Sequence, residues 1–245
     1  NKKIINKNIY FIDIKNSDSK NYIHECFKVA FHLIKQGLTN KLINGPINKS
    51  KTLKKKYLGV TEYVAENFKQ NKFAMLIYNK ELSVCPVTTH LPLKSVTKKI
   101  TRKLIIEKVK IVDNFFKKFL GFRPKIGVVG LNPHCESVLD YNEDRKIISP
   151  AVNSLKKKCW VKGPIPADTI FLKNNRKKFN VIIGMYHDQV LTPIKTLYEY
   201  NAINITIGLP FLRVTPDHGP NEIMVGKNRS NPQSLIKAII FLDKK

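Results

Sequence analysis

Short apolar runs with the character of β-strands alternate along this chain of 245 residues with longer segments of helical periodicity. The strand-like runs are 73–78, 82–88, 126–131, 181–185 and 203–207, and the helical patterns are 22–37, 99–119, 150–158 and 234–242. Strands that alternate with helices in this way predict an α/β fold with a substantially parallel sheet. Two shorter strand signals lie at 9–14 and 42–47, with a polar turn predicted at 16–19.

The charge of the chain is strongly one-sided, with 44 Lys and Arg against 18 Asp and Glu, a formal net charge of +26 at pH 7. Such a charge suits contact with polyanions. Arginine, whose bidentate fork suits phosphates and bases, nevertheless occupies only six positions, and lysine is scattered without interleaved aromatic side chains. We therefore interpret the charge as compositional drift and expect no specific nucleic-acid partner.

Membrane and secretion signals are missing from the sequence. No apolar run reaches the roughly 18 to 20 residues that cross a bilayer, and the first residues show neither the apolar stretch nor the cleavage site of a signal peptide. The four cysteines have no CxxC spacing, which favours reduced thiols. We expect a cytoplasmic protein without membrane contact.

Three of the six histidines, His90, His134 and His187, each follow a predicted strand directly. Ligands of α/β folds bind beyond the carboxyl ends of the strands, so these side chains are candidates for one site. Three neutral imidazoles suit a divalent ion such as zinc or cobalt, and suit magnesium less because it prefers oxygen. The separations form no local motif, so spacing alone leaves structural histidines as the alternative.

Other polar residues also lie among the predicted strand ends, notably Lys195, Asn204, Arg213 and the segment 217–219. Lysine and arginine there can bind a carboxylate or a phosphate. A metal next to an alcohol oxygen favours loss of the hydroxyl proton before hydride transfer. Together these residues suggest an anionic hydroxy-acid substrate.

Several segments, in order along nearly the whole chain, resemble motifs of the 4-hydroxythreonine-4-phosphate dehydrogenase (PdxA) family of vitamin B6 biosynthesis. They are 44–49, 61–63, 88–93 (Thr-Thr-His-Leu-Pro-Leu), 130–134 (Gly-Leu-Asn-Pro-His), 163–169, 185–189 (Met-Tyr-His-Asp-Gln), 204–210 and 217–219. The resemblance implies an isocitrate/isopropylmalate dehydrogenase-like two-domain α/β/α fold, here without the family's Gly-rich N-terminal segment. It implies a cofactor-side domain of residues 1–48 and 200–245, and a metal, substrate and dimer-interface domain of residues 49–199.

The same resemblance implies an activity: metal-dependent, NAD-linked oxidation and decarboxylation of 4-phosphohydroxy-L-threonine to 3-amino-2-oxopropyl phosphate. The implied cofactors are NAD or NADP and one divalent ion (Zn, Co or Mg), in a homodimer with active sites at the subunit interface. The implied site residues are His90, His134 and His187 for the metal, Thr61, Lys195, Asn204 and Arg213 for the substrate, Lys195, Asp188 and Asp168 for catalysis, and Asp217, His218 and Asn231 for the cofactor.

Three departures from the family pattern bear on this activity. Val60 replaces a histidine, and 135–138 replaces a Gly-rich run, where positive φ angles are harder to adopt without glycine. Pro220 deletes a backbone N–H beside the predicted cofactor. They leave two alternatives open: a sister dehydrogenase of 4-phospho-D-threonate or D-erythronate, and a decayed, catalytically weak homologue that acts as a basic binding protein.

Overall fold

Eight strands form one sheet in the computed structural model, which describes residues 9–15, 21–48, 52–53, 57, 59–136, 141–220 and 222–245. The strands are β1 Lys41–Ile43, β2 Ala74–Tyr78, β3 Ser83–Pro86, β4 Ile126–Val129, β5 Val161–Ile165, β6 Val181–Gly184, β7 Ile203–Ile207 and β8 Leu212–Pro216. Their order across the sheet is β1-β8-β7-β2-β3-β6-β4-β5.

The sheet has a parallel half and a mostly antiparallel half. Strands β3, β6, β4 and β5 run parallel to one another. Strand β2 is antiparallel to both β3 and β7, β7 is antiparallel to β8, and β1 runs parallel to β8 at the edge. The predicted α/β class is therefore confirmed, whereas the substantially parallel sheet holds for one half only.

The helices cover both faces of this sheet. They are α1 Tyr22–Lys35, α2 Val60–Asn67, α3 Leu93–Lys99, α4 Arg102–Phe115, α5 Ser149–Leu155, α6 Ala167–Ile170, α7 Lys173–Arg176, α8 His187–Tyr198 and α9 Gln233–Asp243. A π-helical turn, Phe116–Leu120, extends α4, and another, Asp144–Ile148, precedes α5. The pattern at 99–119 begins as α4 only at Arg102, because the Thr101 side chain accepts a hydrogen bond from the Leu104 N–H (3.2 Å) and caps the helix there.

Neighbouring residues of single strands belong to two different apolar clusters, as the side-chain alternation of a strand requires. Leu76 and Ile183 pack with α4, α5 and α9, whereas Ile77 and Ile182 pack with α8. The sheet is thus buried on both faces, which makes the architecture α/β/α. A third cluster, formed mainly by α1 and α2, lies next to the β1–β8 edge.

Residues 9–15 form neither helix nor strand, so the strand predicted at 9–14 is wrong for this structure. Ile9 and Phe11 are 85% and 93% exposed. Apolar alternation becomes a strand only where a neighbouring strand pairs with it. The turn predicted at 16–19 lies outside the described residues, and the domain boundaries at 48–49 and 199–200 stay a prediction. Within the described ranges, no helix combines the length and the apolar character needed to span a bilayer.

Candidate active site

A cavity of about 600 Å³ opens over one face of the antiparallel half of the sheet. Its walls come from the loop after β1, the start of α2, one side of α8, strands β2, β7 and β8, and the loop after β8. The volume lies within the range of small-molecule sites, about 300 to 1,000 Å³. Residues from 44–90 and from 187–220 meet here because β8 and β7 lie between β1 and β2 in the sheet.

Arg213 is a buried cation at the floor of this cavity, with only 3% of its surface exposed. Its guanidinium donates to Asn44 Oδ1 (2.9 Å), Thr61 Oγ1 (3.2 Å) and Thr206 Oγ1 (2.6 Å). Burial lowers the pKa of Arg213 to about 10, and Glu62 opposes that shift. Arg213 therefore stays charged at neutral pH, and the three side chains that accept these hydrogen bonds are all neutral, which suits an anionic ligand.

Lys195 forms an ion pair with Asp217 on another wall of the cavity. Lys195 Nζ lies 2.6 Å from Asp217 Oδ2 and also donates to the Asp217 carbonyl oxygen. Burial raises the pKa of the Asp217 carboxyl, and the Lys195 charge opposes the rise. Ser234 Oγ accepts the Asp217 N–H at 2.8 Å, which fixes the backbone that carries this carboxylate.

Asn204, on β7, also lines the cavity. Its Oδ1 atom is buried and has no hydrogen-bond partner among the described residues. A buried amide oxygen without a partner is costly unless a ligand or water satisfies it. Asn204 is therefore suited to accept a hydrogen bond from a bound substrate.

Two of the three strand-end histidines, His90 and His187, meet in this cavity with ring centroids 5.7 Å apart. His187 Nδ1 lies 2.6 Å from Asp188 Oδ1, a contact that orients the ring and leaves Nε2 for a ligand. His134 lies elsewhere: it is exposed, does not line the cavity and sits in a short helical turn with a φ of 55°. Within the described ranges, no three His, Cys, Asp or Glu side chains are grouped to hold a metal.

The remaining predicted site residues divide in the same way. Thr61 and His218 line the cavity. Asp168 is exposed at the start of α6 and does not line the cavity. Asp188 does not line the cavity either, but it contacts His187, which does. Asn231 is also exposed, and its Oδ1 accepts the Gln233 N–H (2.9 Å) at the start of α9, a structural role.

Two polar residues of this region, Asn44 and Glu62, were not among the predicted site residues. Asn44, the partner of Arg213, belongs to the Asn-Gly-Pro motif after β1, and that motif was the available signal. Glu62 accepts a hydrogen bond from Thr89 Oγ1 (3.3 Å), and its Oε1 lies 4.0 Å from His90 Nδ1. Glu62 follows Thr61 in the same matched motif, but nothing in its spacing marks it as a neighbour of His90.

The departures from the family pattern have visible consequences. Val60 and Pro220 both line the cavity, so their changed chemistry faces its interior. Cys135 has a φ of 60°, the left-handed region in which a non-glycine residue is strained. Burial raises the pKa of the Cys135 thiol to about 11, with Asp144 adding to the shift. Cys135 is therefore a thiol rather than a thiolate at neutral pH.

Fold and site together define the class: a two-domain α/β protein of the isocitrate/isopropylmalate dehydrogenase-like kind. A solved structure of 4-hydroxythreonine-4-phosphate dehydrogenase from Klebsiella pneumoniae matches it with a TM-score of 0.78 and 31% identity, over 91% of this chain and 70% of that one. The model of the family "Pyridoxal phosphate biosynthetic protein PdxA" matches residues 3–242, and the chain belongs to this family.

Two curated relatives of this chain are named for different substrates. A 4-hydroxythreonine-4-phosphate dehydrogenase from Sulfurihydrogenibium sp. (strain YO3AOP1) is 39% identical over 241 residues, covering 95% of this chain and 74% of the relative. A D-threonate 4-phosphate dehydrogenase from Pectobacterium atrosepticum is 33% identical, covering 88% of this chain and 68% of the relative. The chain spans only 62% of a third relative, the Bradyrhizobium diazoefficiens 4-hydroxythreonine-4-phosphate dehydrogenase.

Proposed function

We propose that this protein oxidises and decarboxylates 4-phosphohydroxy-L-threonine to 3-amino-2-oxopropyl phosphate, using NAD or NADP and one divalent metal ion. The observation that carries the proposal is one cavity that combines a buried arginine, a lysine–aspartate pair and two facing imidazoles. Membership of the PdxA family and relatives named for this dehydrogenase activity support it.

Arg213 would bind the most highly charged part of the substrate, the phosphate. The guanidinium is already ordered by three hydrogen bonds, so little side-chain entropy is lost when an anion arrives. Thr61 Oγ1, which accepts one of these bonds, can donate its own hydroxyl proton to a phosphate oxygen. Asn204 Oδ1 would accept a hydrogen bond from a substrate hydroxyl or ammonium group.

His90 and His187 fit a divalent ion. Two imidazoles that bind one tetrahedral ion at about 2.1 Å have ring centroids roughly 5 Å apart, close to the observed 5.7 Å. The Asp188 carboxylate supports the Nδ1–H tautomer of His187, which leaves Nε2 as the metal-binding atom. When bound, the ion would supply Lewis-acid polarisation at the reacting oxygen, and a nicotinamide cofactor would supply the hydride acceptor.

Lys195 would donate a proton to the reacting carbon. Its ammonium group is held in place by Asp217 at one wall of the cavity. Loss of CO₂ from a β-keto acid leaves a carbon that must gain one proton, and Lys195, which lines the cavity, would donate it from its Nζ–H. Asp217 and His218 would border the nicotinamide cofactor, since both line the cavity.

His134 completes a three-histidine site only in a homodimer. It is exposed and does not line the cavity that contains His90 and His187. A second copy of the chain that presents its own His134 at this cavity would supply the third imidazole, so the active site would lie at the subunit interface.

A specific observation also favours the sister activity on 4-phospho-D-threonate. Val60 lines the cavity where the family has a histidine, so one hydrogen-bonding group toward the substrate is replaced by an apolar side chain. The relative from Pectobacterium atrosepticum, which is 33% identical to this chain, is named for that substrate.

The test is metal analysis together with NADH or NADPH production by the purified protein, expressed from its whole coding sequence. Bound metal with turnover of 4-phosphohydroxy-L-threonine supports the proposal. Turnover of 4-phospho-D-threonate alone would replace it with the sister activity. Absence of both metal and turnover, in a folded protein, would contradict both and leave the decayed homologue.

A further inference from the structure

The loop that follows β4, residues 130–136, bends sharply to present His134. His134 and Cys135 have φ angles of 55° and 60°, so two successive non-glycine residues occupy the left-handed region. Such conformations persist only where the surrounding structure holds them, and they concentrate at functional sites.

Asp144 holds this loop from one side. Its carboxylate is 1% exposed and accepts hydrogen bonds from the Leu131 N–H (2.7 Å), the Asn132 N–H (3.0 Å) and Asn132 Nδ2 (2.9 Å). Gly130 makes this approach possible, because a Cβ there would lie 2.6 Å from Asp144 Oδ1 and 2.5 Å from Cys135 Sγ. Asp144 therefore satisfies successive donors of the turn directly before His134.

Gln189, on α8, holds the loop from the other side. Its Nε2 donates to the Gly130 carbonyl oxygen (2.7 Å), and its Oε1 accepts the Met185 N–H (2.7 Å). Met185 lies two residues before His187, so one amide group joins the His134 loop to the His187 loop. Strands β4 and β6, which these loops follow, are neighbours in the sheet, so the bridge spans adjacent strand ends.

We propose that Asp144 and Gln189 are positioning residues that fix the His134 imidazole for metal binding. This inference rests on the proposed function, in which His134 is a metal ligand. Neither side chain lines the cavity, so each would act through the loop and not by touching substrate. Groups that orient metal ligands typically change metal affinity by about 10- to 100-fold when they are removed.

The first experiment measures Co²⁺ affinity of the full protein by titration, following the visible absorption of the bound ion. Asp144→Asn should weaken binding by about 10- to 100-fold. The matched control is Asp113→Asn, since Asp113 is also a buried carboxylate but lies on α4 and pairs with Lys117 of the π-helical turn that follows. The control should lose stability without losing Co²⁺ affinity, and equal losses of affinity in both variants would overturn the inference.

The second experiment separates positioning from general damage. In a His134→Ala background, Asp144→Asn should weaken Co²⁺ binding no further, because its effect passes through His134. Hydrogen exchange at the Leu131 and Asn132 amides should accelerate in Asp144→Asn. If His134→Ala weakens binding and Asp144→Asn does not, the positioning role is wrong and the metal site stands. If His134→Ala has no effect, the proposed metal role of His134 fails and this inference with it.

Gln189→Glu provides an independent variant if Asp144→Asn does not fold. The carboxylate can still accept the Met185 N–H but places a negative charge against the Gly130 carbonyl oxygen. Weaker Co²⁺ binding is expected, with no change in Gln36→Glu, an exposed glutamine at the end of α1. Wild-type affinity in a folded Gln189→Glu protein would overturn the inference.

Discussion

Lys195 Nζ lies 2.6 Å from Asp217 Oδ2, a pair that joins helix α8 to the end of strand β8 at the wall of the cavity. The carboxylate is largely buried, whereas the ammonium group is partly exposed to the cavity. Burial raises the pKa of Asp217 above its usual value even with this partner. The pair therefore places a charge where a ligand can use it, at some expense in stability.

That raised pKa predicts how stability depends on pH. A carboxyl whose pKa is higher in the folded state binds more protons there, so its contribution to the free energy of unfolding falls as pH rises from the unfolded pKa through the folded pKa. Asp217→Asn removes this dependence. Urea unfolding at pH values from about 4 upward should show the wild type losing stability relative to Asp217→Asn as pH increases. A difference that stays constant, or that changes in the other direction, would contradict the raised pKa.

Arg213→Lys should raise the KM for a phosphorylated substrate by about 10- to 100-fold, because an ammonium group cannot reproduce the three directed bonds of the guanidinium. Steady-state kinetics with 4-phosphohydroxy-L-threonine measure this. Arg229→Lys, an exposed arginine, is the matched control and should leave KM unchanged. Equal KM values for all three proteins would remove Arg213 from phosphate binding.

Asp188→Asn should weaken Zn²⁺ binding by about 10- to 100-fold, since the amide supports the imidazole of His187 less well than the carboxylate does. Asp188 is 79% exposed on its side chain, so the substitution should not change stability much. Competition with a chromophoric chelator gives the affinity. Asp243→Asn, at the exposed end of α9, is the control, and a loss of Zn²⁺ affinity in both variants would indicate a general charge effect instead.

The fold was most predictable where the apolar pattern was uninterrupted. The run at 203–207 is β7 with the same bounds, and the helix predicted at 234–242 is α9 to within one residue at each end. Strand β8 was missed because Arg213 and Thr215 interrupt its apolar pattern, although both are buried. These polar residues line the cavity, so local patterning failed at the place where the chain builds its site.

The structure brings only part of the predicted site residues together, and the functional roles given to them stay predictions. Most polar residues taken from the strand ends and the family motifs do line one cavity. His134 does not, although it follows β4, which runs parallel to β6 and β3. His90 and His187 follow the adjacent strands β3 and β6, whereas His134 follows a strand one place further away and its loop turns outward. Sequence position determines which edge of the sheet a loop occupies, but not the direction in which the loop then turns.

Gly208→Ala should destabilise the protein far more than Gly37→Ala, although both glycines have positive φ (96° and 73°). A Cβ at Gly208 would collide with the Lys72 carbonyl oxygen and lie 2.9 Å from Phe73 Cα, whereas nothing lies within 4 Å at Gly37. Gly37→Ala should cost about 1 kcal/mol from backbone strain alone. Gly208→Ala adds an overlap with backbone atoms and should cost about 3 kcal/mol or more. Urea unfolding of the two variants measures this difference. Equal losses of unfolding free energy would show that the backbone at 72–73 can move away from residue 208.

Val60→His should lower the KM for 4-phosphohydroxy-L-threonine by about tenfold or more, because a hydrogen bond to a charged group contributes about 1.5 to 3 kcal/mol. Val60 lines the cavity next to Thr61, whose hydroxyl contacts Arg213, so an imidazole there would reach the same anion. Val60→Leu is the control, since it fills the space without a hydrogen-bond donor and should not lower KM.

Measuring both variants with 4-phospho-D-threonate as well separates two interpretations of the natural valine. If Val60→His lowers the KM for 4-phosphohydroxy-L-threonine only, the natural valine reflects a weakened version of the family's activity. If Val60→His slows turnover of 4-phospho-D-threonate, the valine is a specificity residue of the sister activity. An unchanged KM for both substrates would mean that the side chain at position 60 does not contact the substrate.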